Sequence, residues 1–132
     1  MESRALALII EDDERLADIF SKALETAGYQ TRILNDGRQA MEILNSTIPT
    51  VVALDLHLPF VSGKEILRAI RSDSRFANTR VILTTADAEM ASFVEDQCDL
   101  VLIKPISFIQ LQTLAQRLGS ENLRRTKRRP AL

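Results

Sequence analysis

The chain alternates between two hydrophobic periods. Ala5 to Ile10 is a short, continuously apolar run, the pattern of a strand covered on both faces. A helical period follows, in which Leu16, Ile19, Phe20, Ala23, Leu24 and Ala27 share one face and Arg15, Asp18, Lys22 and Glu25 lie mostly opposite. Gly28 predicts a left-handed C-terminal cap. Gln30 to Leu34 predicts a second strand, and Asn35-Asp36-Gly37 a turn and a helix start, with Ala40, Met41 and Leu44 facing inward. Pro49 precedes the strongest strand, Val51 to Asp55. Gly63 lies near the start of a helix carrying Ile66, Leu67 and Ile70, which Ser72-Asp73-Ser74 interrupts. Arg80 to Thr85 predicts a fourth strand, followed by a short, weakly periodic helix with Met90, Phe93 and Val94 inward. Leu100 to Ile103 predicts a fifth strand, and Ser107 is placed to cap a last helix with Leu111, Leu114, Ala115 and Leu118 inside. Strands alternating with helices predict an α/β fold: one (βα)5 domain around a parallel sheet covered on both sides.

Composition narrows the class. The 132 residues, 45% apolar and 27% charged, suit one domain with one core. No apolar run approaches the roughly 20 residues of a membrane helix. The N-terminus lacks the basic, apolar and small-residue order of a signal peptide. The expectation is a cytoplasmic protein with no membrane partner. The one cysteine, Cys98, has no partner for an internal disulfide and reads as a small apolar residue at a strand entrance. Net charge is −1, unevenly spread. Residues 120–132 carry five basic side chains against Glu121, a net of +4, which leaves −5 on residues 1–119. The domain is therefore expected over 1–119, with a basic tail or the start of a linker after it. No helix-turn-helix, zinc or stacking-aromatic motif accompanies that tail, so nucleic acid is not the expected partner.

The chemistry gathers at the predicted strand ends. Glu11-Asp12 follow strand one, Asp55 ends strand three, Thr85 ends strand four and Lys104 follows strand five. In an open parallel sheet these C-terminal ends form one edge, where ligands bind. Three carboxylates drawn to about 4–5 Å cost roughly 3–4 kcal/mol per pair at an effective dielectric near 20. Lys104 offsets one charge, and a divalent cation would offset the rest. Oxygen ligands with room for water suit Mg²⁺ rather than zinc, for which one His and one Cys at unrelated positions are a poor set. A carboxylate beside a metal, a lysine and a hydroxyl is the set that forms an aspartyl phosphate. Taken singly, each residue also has a plain structural use. Glu11 and Asp12 suit the positive end of the first helix. Asp55 suits a helix cap, Thr85 an ordinary strand position, Lys104 a solvated surface and the His57 side chain a rim.

Taken together, Ile9-Ile10-Glu11-Asp12-Asp13, Asp55-Leu56-His57-Leu58-Pro59 with Gly63 four residues on, Leu83-Thr84-Thr85-Ala86 and Ile103-Lys104-Pro105 resemble the receiver domain of two-component response regulators. The resemblance covers residues 5–119, in order. It implies a flavodoxin-like doubly wound sheet of order 2-1-3-4-5, and Mg²⁺-dependent transfer of a phosphoryl group to Asp55. The donor would be a sensor histidine kinase or a histidine phosphotransfer protein. The same resemblance implies Asp12 and Asp55 as metal ligands, Glu11 through water, and the backbone carbonyl of His57. Asp13 falls one place late and reads as a helix-start acid. Lys104-Pro105 matches a peptide bond that is cis in the family, and the output would be a downstream protein effector bound by a monomer or weak dimer.

Two departures concern signalling. The family's switch aromatic lies three residues before the lysine, and here that place is Val101, too small and too stiff at χ1 to imitate a rotating ring. Only 18 residues separate Thr85 from Lys104, so the fourth helix is expected to be short or irregular. A phosphorelay intermediate would tolerate these departures, and a degenerate receiver used as a binding scaffold is a further alternative. A haloacid-dehalogenase-type phosphatase would need a second acid where His57 stands. A flavodoxin would need a hydroxyl- or glycine-rich loop where the chain is acidic.

Overall fold

The computed structural model describes residues 4–121, and within the last helix the side chains of Ala115 and of residues 118–121 fall outside the description. The inward placement expected of Ala115 and Leu118, and the basic tail from residue 122 on, therefore lie outside the described residues. Twelve elements follow in order: β1 (Leu6–Ile10), α1 (Glu14–Thr26), β2 (Gln30–Leu34), α2 (Gly37–Leu44), β3 (Val51–Asp55), α3 (Gly63–Arg71), a 3-10 turn (Ser74–Phe76), β4 (Arg80–Thr85), α4 (Ala88–Val94), a second 3-10 turn (Glu95–Gln97), β5 (Leu100–Ile103) and α5 (Phe108–Glu121). The strands form one parallel sheet of order β2-β1-β3-β4-β5. The continuously apolar runs explain the centre: β1 and β3 are flanked by strands on both edges and helices on both faces, so Leu8, Ile9, Val52 and Leu54 are fully buried.

Strand alternation divides the core in two. Leu8, Ile10, Val52, Leu54, Val81 and Leu83 face α2, α3 and α4, meeting Leu44, Ile66, Leu67, Ile70 and Val94. Ala7, Ile9, Val51, Ala53, Ile82 and Leu102 face α1 and α5, meeting Phe20, Leu24, Leu111 and Leu114. Each fully buried Leu, Ile or Phe contributes on the order of 1.5–3 kcal/mol of transfer free energy. Helix starts carry side-chain caps. Asp13, Asp36, Ser62 and Asp87 each accept a backbone N–H from their helix's first turn. Ser107 does the same for Gln110, 3.1 Å away. Gly28, one residue past the α1 cap Ala27, has φ +101°, the left-handed turn its position predicts.

Three points differ from the pattern read along the chain. Phe93 is 72% exposed, because seven-residue α4 spends its sheet face on Ala91 and Val94 and turns Phe93 about 100° away from Val94. Ile19 sits at the flank of α1, exposed beside α5, while Ala17, Phe20 and Leu24 hold the centre of that face. Ser72-Asp73-Ser74 is more than a break: it leads into the Ser74–Phe76 turn, whose Phe76 is buried in the core.

Candidate functional site at the C-terminal sheet edge

The loop after β1 divides its acids by task. Asp13 Oδ1 caps α1 through the N–H groups of Arg15 and Leu16, at 3.0 and 3.2 Å. Glu11, 3% exposed, turns inward and accepts the Asp13 N–H on Oε2 at 3.1 Å. Asp12 is exposed on the rim. Across the sheet, Asp55 is 4% exposed and its Oδ1 accepts the His57 N–H at 3.2 Å. Lys104 reaches in from β5. Its N–H donates to the Thr85 carbonyl at 2.8 Å, and its Nζ lies 3.2 Å from Glu11 Oε1 and 3.5 Å from Asp55 Oδ1. The Lys104-Pro105 bond is cis, as the resemblance implied.

Backbone packing holds this edge in place. A Cβ on Gly63 would collide with the Asp55 carbonyl oxygen and stand 2.6 Å from Leu56 Cα, so the first residue of α3 must be glycine to lie against the end of β3. Its N–H then donates to the Leu56 carbonyl at 2.9 Å. Gly37, at the start of α2, meets Val61 in the same way. This is the physical content of the spacing between Asp55 and Gly63.

Glu11, Asp12 and Asp55 each offer a carboxylate oxygen within 4.8 Å of the others. One lysine faces this trio, so the charges do not balance. Burial, and then the Asp55 charge, push the Glu11 carboxyl up from 4.5 to about 7. Burial raises the Asp55 carboxyl too, against the pull of Lys104. Lys104 is itself raised: burial works against its charge, but Asp55 and Glu11 outweigh it. Glu11 Oε1 is buried without a hydrogen bond, while the Lys104 Nζ donates to Oε2 at 3.4 Å. A buried, unbonded carboxylate oxygen beside two more acids is a poor structural element and a good place for a hard, oxygen-seeking cation.

The remaining candidates are placed less simply. Asp55 is the register partner of Thr84, and Thr85 lies one residue beyond. Thr85 is fully buried, and its Oγ1 accepts the Asp87 N–H at 3.0 Å. His57 is exposed, consistent with a rim side chain. Val101, half-buried, pairs with Leu83 and packs with Met90 against the α3–α4 core. Two features escaped the sequence. Asp87 is both the cap of α4 and the donor to Thr85. Phe60, five residues past Asp55, has φ +70° and is 69% exposed, with the Arg38 guanidinium 3.7 Å over its ring. A Phe gives no advance signal of left-handed backbone, which Gly and Asn normally supply.

A family model of the response regulator receiver domain matches residues 7–116. The chain belongs to that family. The receiver is 28% identical over 116 residues to the polar-differentiation response regulator DivK of Brucella anthropi, covering 85% of this chain and 94% of DivK. It is 29% identical over 102 residues to the DNA-binding response regulator MtrA of Mycobacterium tuberculosis, covering 77% of this chain and 45% of MtrA. The regulatory protein AtoC of Escherichia coli is 33% identical over 113 residues, or 83% of this chain and 24% of AtoC. The receiver thus spans under half the length of MtrA and about a quarter of AtoC. Among solved structures, the chemotaxis response regulator CheY4 of Vibrio cholerae superposes with a TM-score of 0.77 at 24% identity, covering 88% of this chain and 99% of CheY4. The receiver domain of the sensor histidine kinase PA1611 of Pseudomonas aeruginosa, which holds a magnesium ion in its active-site cleft, gives 0.74 at 23% identity, covering 89% of this chain and 99% of that one. Among the described residues no helix is long and apolar enough to cross a membrane.

Proposed function

We propose that this receiver accepts a phosphoryl group on Asp55 from the phosphohistidine of a sensor histidine kinase or a histidine phosphotransfer protein. The modified domain then changes its contacts with a protein effector in the cytoplasm. The observation that carries this reading is the pairing of a buried Asp55 with Lys104 at 3.5 Å, inside a three-acid cluster that one lysine cannot neutralise. Asp12, Asp55 and the His57 carbonyl would hold Mg²⁺, with Glu11 acting through water. The donor set fits, because the acids are hard oxygen ligands and one of them carries a buried oxygen with no hydrogen bond. When bound, the ion supplies positive charge to the phosphoryl oxygens.

The rest of the chemistry belongs to the chain. The His57 N–H fixes the Asp55 carboxylate through Oδ1, so its orientation is set before the donor arrives. A carboxylate oxygen forms the new O–P bond as the P–N bond of the donor imidazole breaks, and the imidazole leaves with that electron pair and takes up a proton. Lys104 offsets charge on the attached group, and the Thr85 hydroxyl donates to one of its oxygens. Residues 1–119 act as the signalling domain, with slow self-dephosphorylation as the only turnover.

Incubation with acetyl phosphate and Mg²⁺ should add one phosphoryl mass to the wild-type chain and none to Asp55→Asn. An unmodified wild type, or equal modification of the variant, would sink the proposal. Val101 favours one variation, a phosphorelay intermediate, whose task is to pass the group on and which needs no aromatic rotor.

A further inference from the structure

The side chains of Asp55 and Thr85 leave the sheet on opposite faces. Leu54 belongs to the α2–α3–α4 core, so Asp55 emerges with Ala53 on the α1–α5 side. Leu83 belongs to the α2–α3–α4 core, so Thr85, two residues on, emerges toward α4. There its hydroxyl is already engaged, accepting the Asp87 N–H at 3.0 Å. Asp87 is also the clasp of α4: its Oδ1 accepts the Met90 N–H at 2.9 Å and its carbonyl accepts the Ala91 N–H at 3.0 Å.

The helix so clasped is weak. It has seven residues, runs straight into the Glu95–Gln97 turn, and that turn has no side-chain cap of its own. A helix this short depends on its cap and its packing. The position where a switch ring would stand holds Val101, which packs against the same core as Met90. A movable polar link between the site and α4 therefore exists where the movable ring does not.

We propose that Asp87 is a positioning residue of this receiver. Its N–H holds the Thr85 hydroxyl toward α4, and when a phosphoryl group on Asp55 recruits that hydroxyl, the first turn of α4 is released. This rests on Asp55 being the phosphoacceptor. Because the two hydroxyl positions exclude each other, the coupling runs both ways: loosening the clasp makes the hydroxyl easier to recruit.

Beryllofluoride with Mg²⁺ serves as the phosphoryl mimic, with fluorine NMR reporting its binding and amide hydrogen exchange reporting α4. In wild type, binding should speed exchange at Met90 and Ala91 by about three- to tenfold, the scale of one lost cap. Thr85→Val should still bind, more weakly, with no response at those amides, and Thr85→Ser should restore the response. Asp87→Asn removes a charge but keeps a good cap, whereas Asp87→Ala removes both. Asp87→Ala should therefore bind beryllofluoride about threefold or more tighter than Asp87→Asn, a difference that loss of charge alone cannot produce. Bound beryllofluoride with unchanged Met90 and Ala91 exchange, or equal affinities in the two Asp87 variants, would overturn the coupling while leaving Asp55 as acceptor. Absence of any beryllofluoride signal in wild type would overturn both.

Discussion

The two edges of the same sheet treat charge in opposite ways. At the N-terminal edge, Arg71 donates to the Gln97 carbonyl at 2.8 Å, the Thr79 carbonyl at 3.0 Å and the Phe76 carbonyl at 3.4 Å, and pairs with Asp99 at 3.2 Å. Asp99 in turn accepts the Val81 N–H at 2.8 Å. Arg71 and Asp99 carry opposite charges and meet directly, and the remaining Arg71 donors land on backbone carbonyls. At the C-terminal edge, three acids face one lysine, and a buried carboxylate oxygen has no hydrogen bond. Charges placed for stability are balanced and bonded. Where they are neither, the fold is carrying a cost that a ligand or a reaction must offset.

Removing Arg71 should give the largest loss. Arg71→Ala removes one donor from each of three carbonyls and takes a cation from beside Asp99, 12% exposed. We expect about 2–3 kcal/mol of destabilisation in chemical denaturation, with Mg²⁺ affinity unchanged. A Mg²⁺ affinity that falls in step with stability would mean that the two edges are not independent.

Gly63→Ala attacks the other edge sterically. The new Cβ must displace the Asp55 carbonyl or the backbone of Leu56. Overpacking of this kind costs about 1–3 kcal/mol. Unlike Arg71→Ala, it should also weaken Mg²⁺ binding, because the displaced backbone leads directly into Asp55 and His57. Titration of Mg²⁺ in the two variants, side by side, separates a structural edge from a functional one.

The same contrast explains what could be read in advance. Glu11, Asp12, Asp55 and Lys104 were legible because each terminates or follows an apolar run, and parallel strands bring such ends together whatever lies between them. Gly63 was visible as a spacing, though its reason, the carbonyl of Asp55 in its way, was not. Arg71 gave no signal. Three of its four partners are backbone carbonyls, at separations of 5, 8 and 26 residues, and a carbonyl has no residue identity to recognise. Phe93 misled because a seven-residue helix is too short for its period to fix a face. Thr85 was legible as a hydroxyl at the end of a strand, but the N–H two residues on that it accepts is backbone, again invisible to side-chain pattern.

The smallest effect, and the most direct probe of imbalance, is the response to pH. A carboxyl whose pKa is higher folded than unfolded holds its proton more tightly in the folded chain. For Glu11, raised from 4.5 to about 7 by burial and then by Asp55, the folded state binds more protons throughout that interval. Stability from this group is therefore greatest below about pH 4.5 and falls as pH rises toward 7. Asp55, also raised, adds to the decline with the same sign. Lys104 is raised from 10.5, so its own loss of stability lies above the interval. The denaturation midpoint should thus fall between about pH 5 and 8, Glu11→Gln should flatten that fall and leave the variant the more stable form at the upper end, and saturating Mg²⁺ should flatten it in wild type. A midpoint that rises across the interval, or a Glu11→Gln profile parallel to wild type, would show that Lys104 alone balances this edge and that no cation is called for.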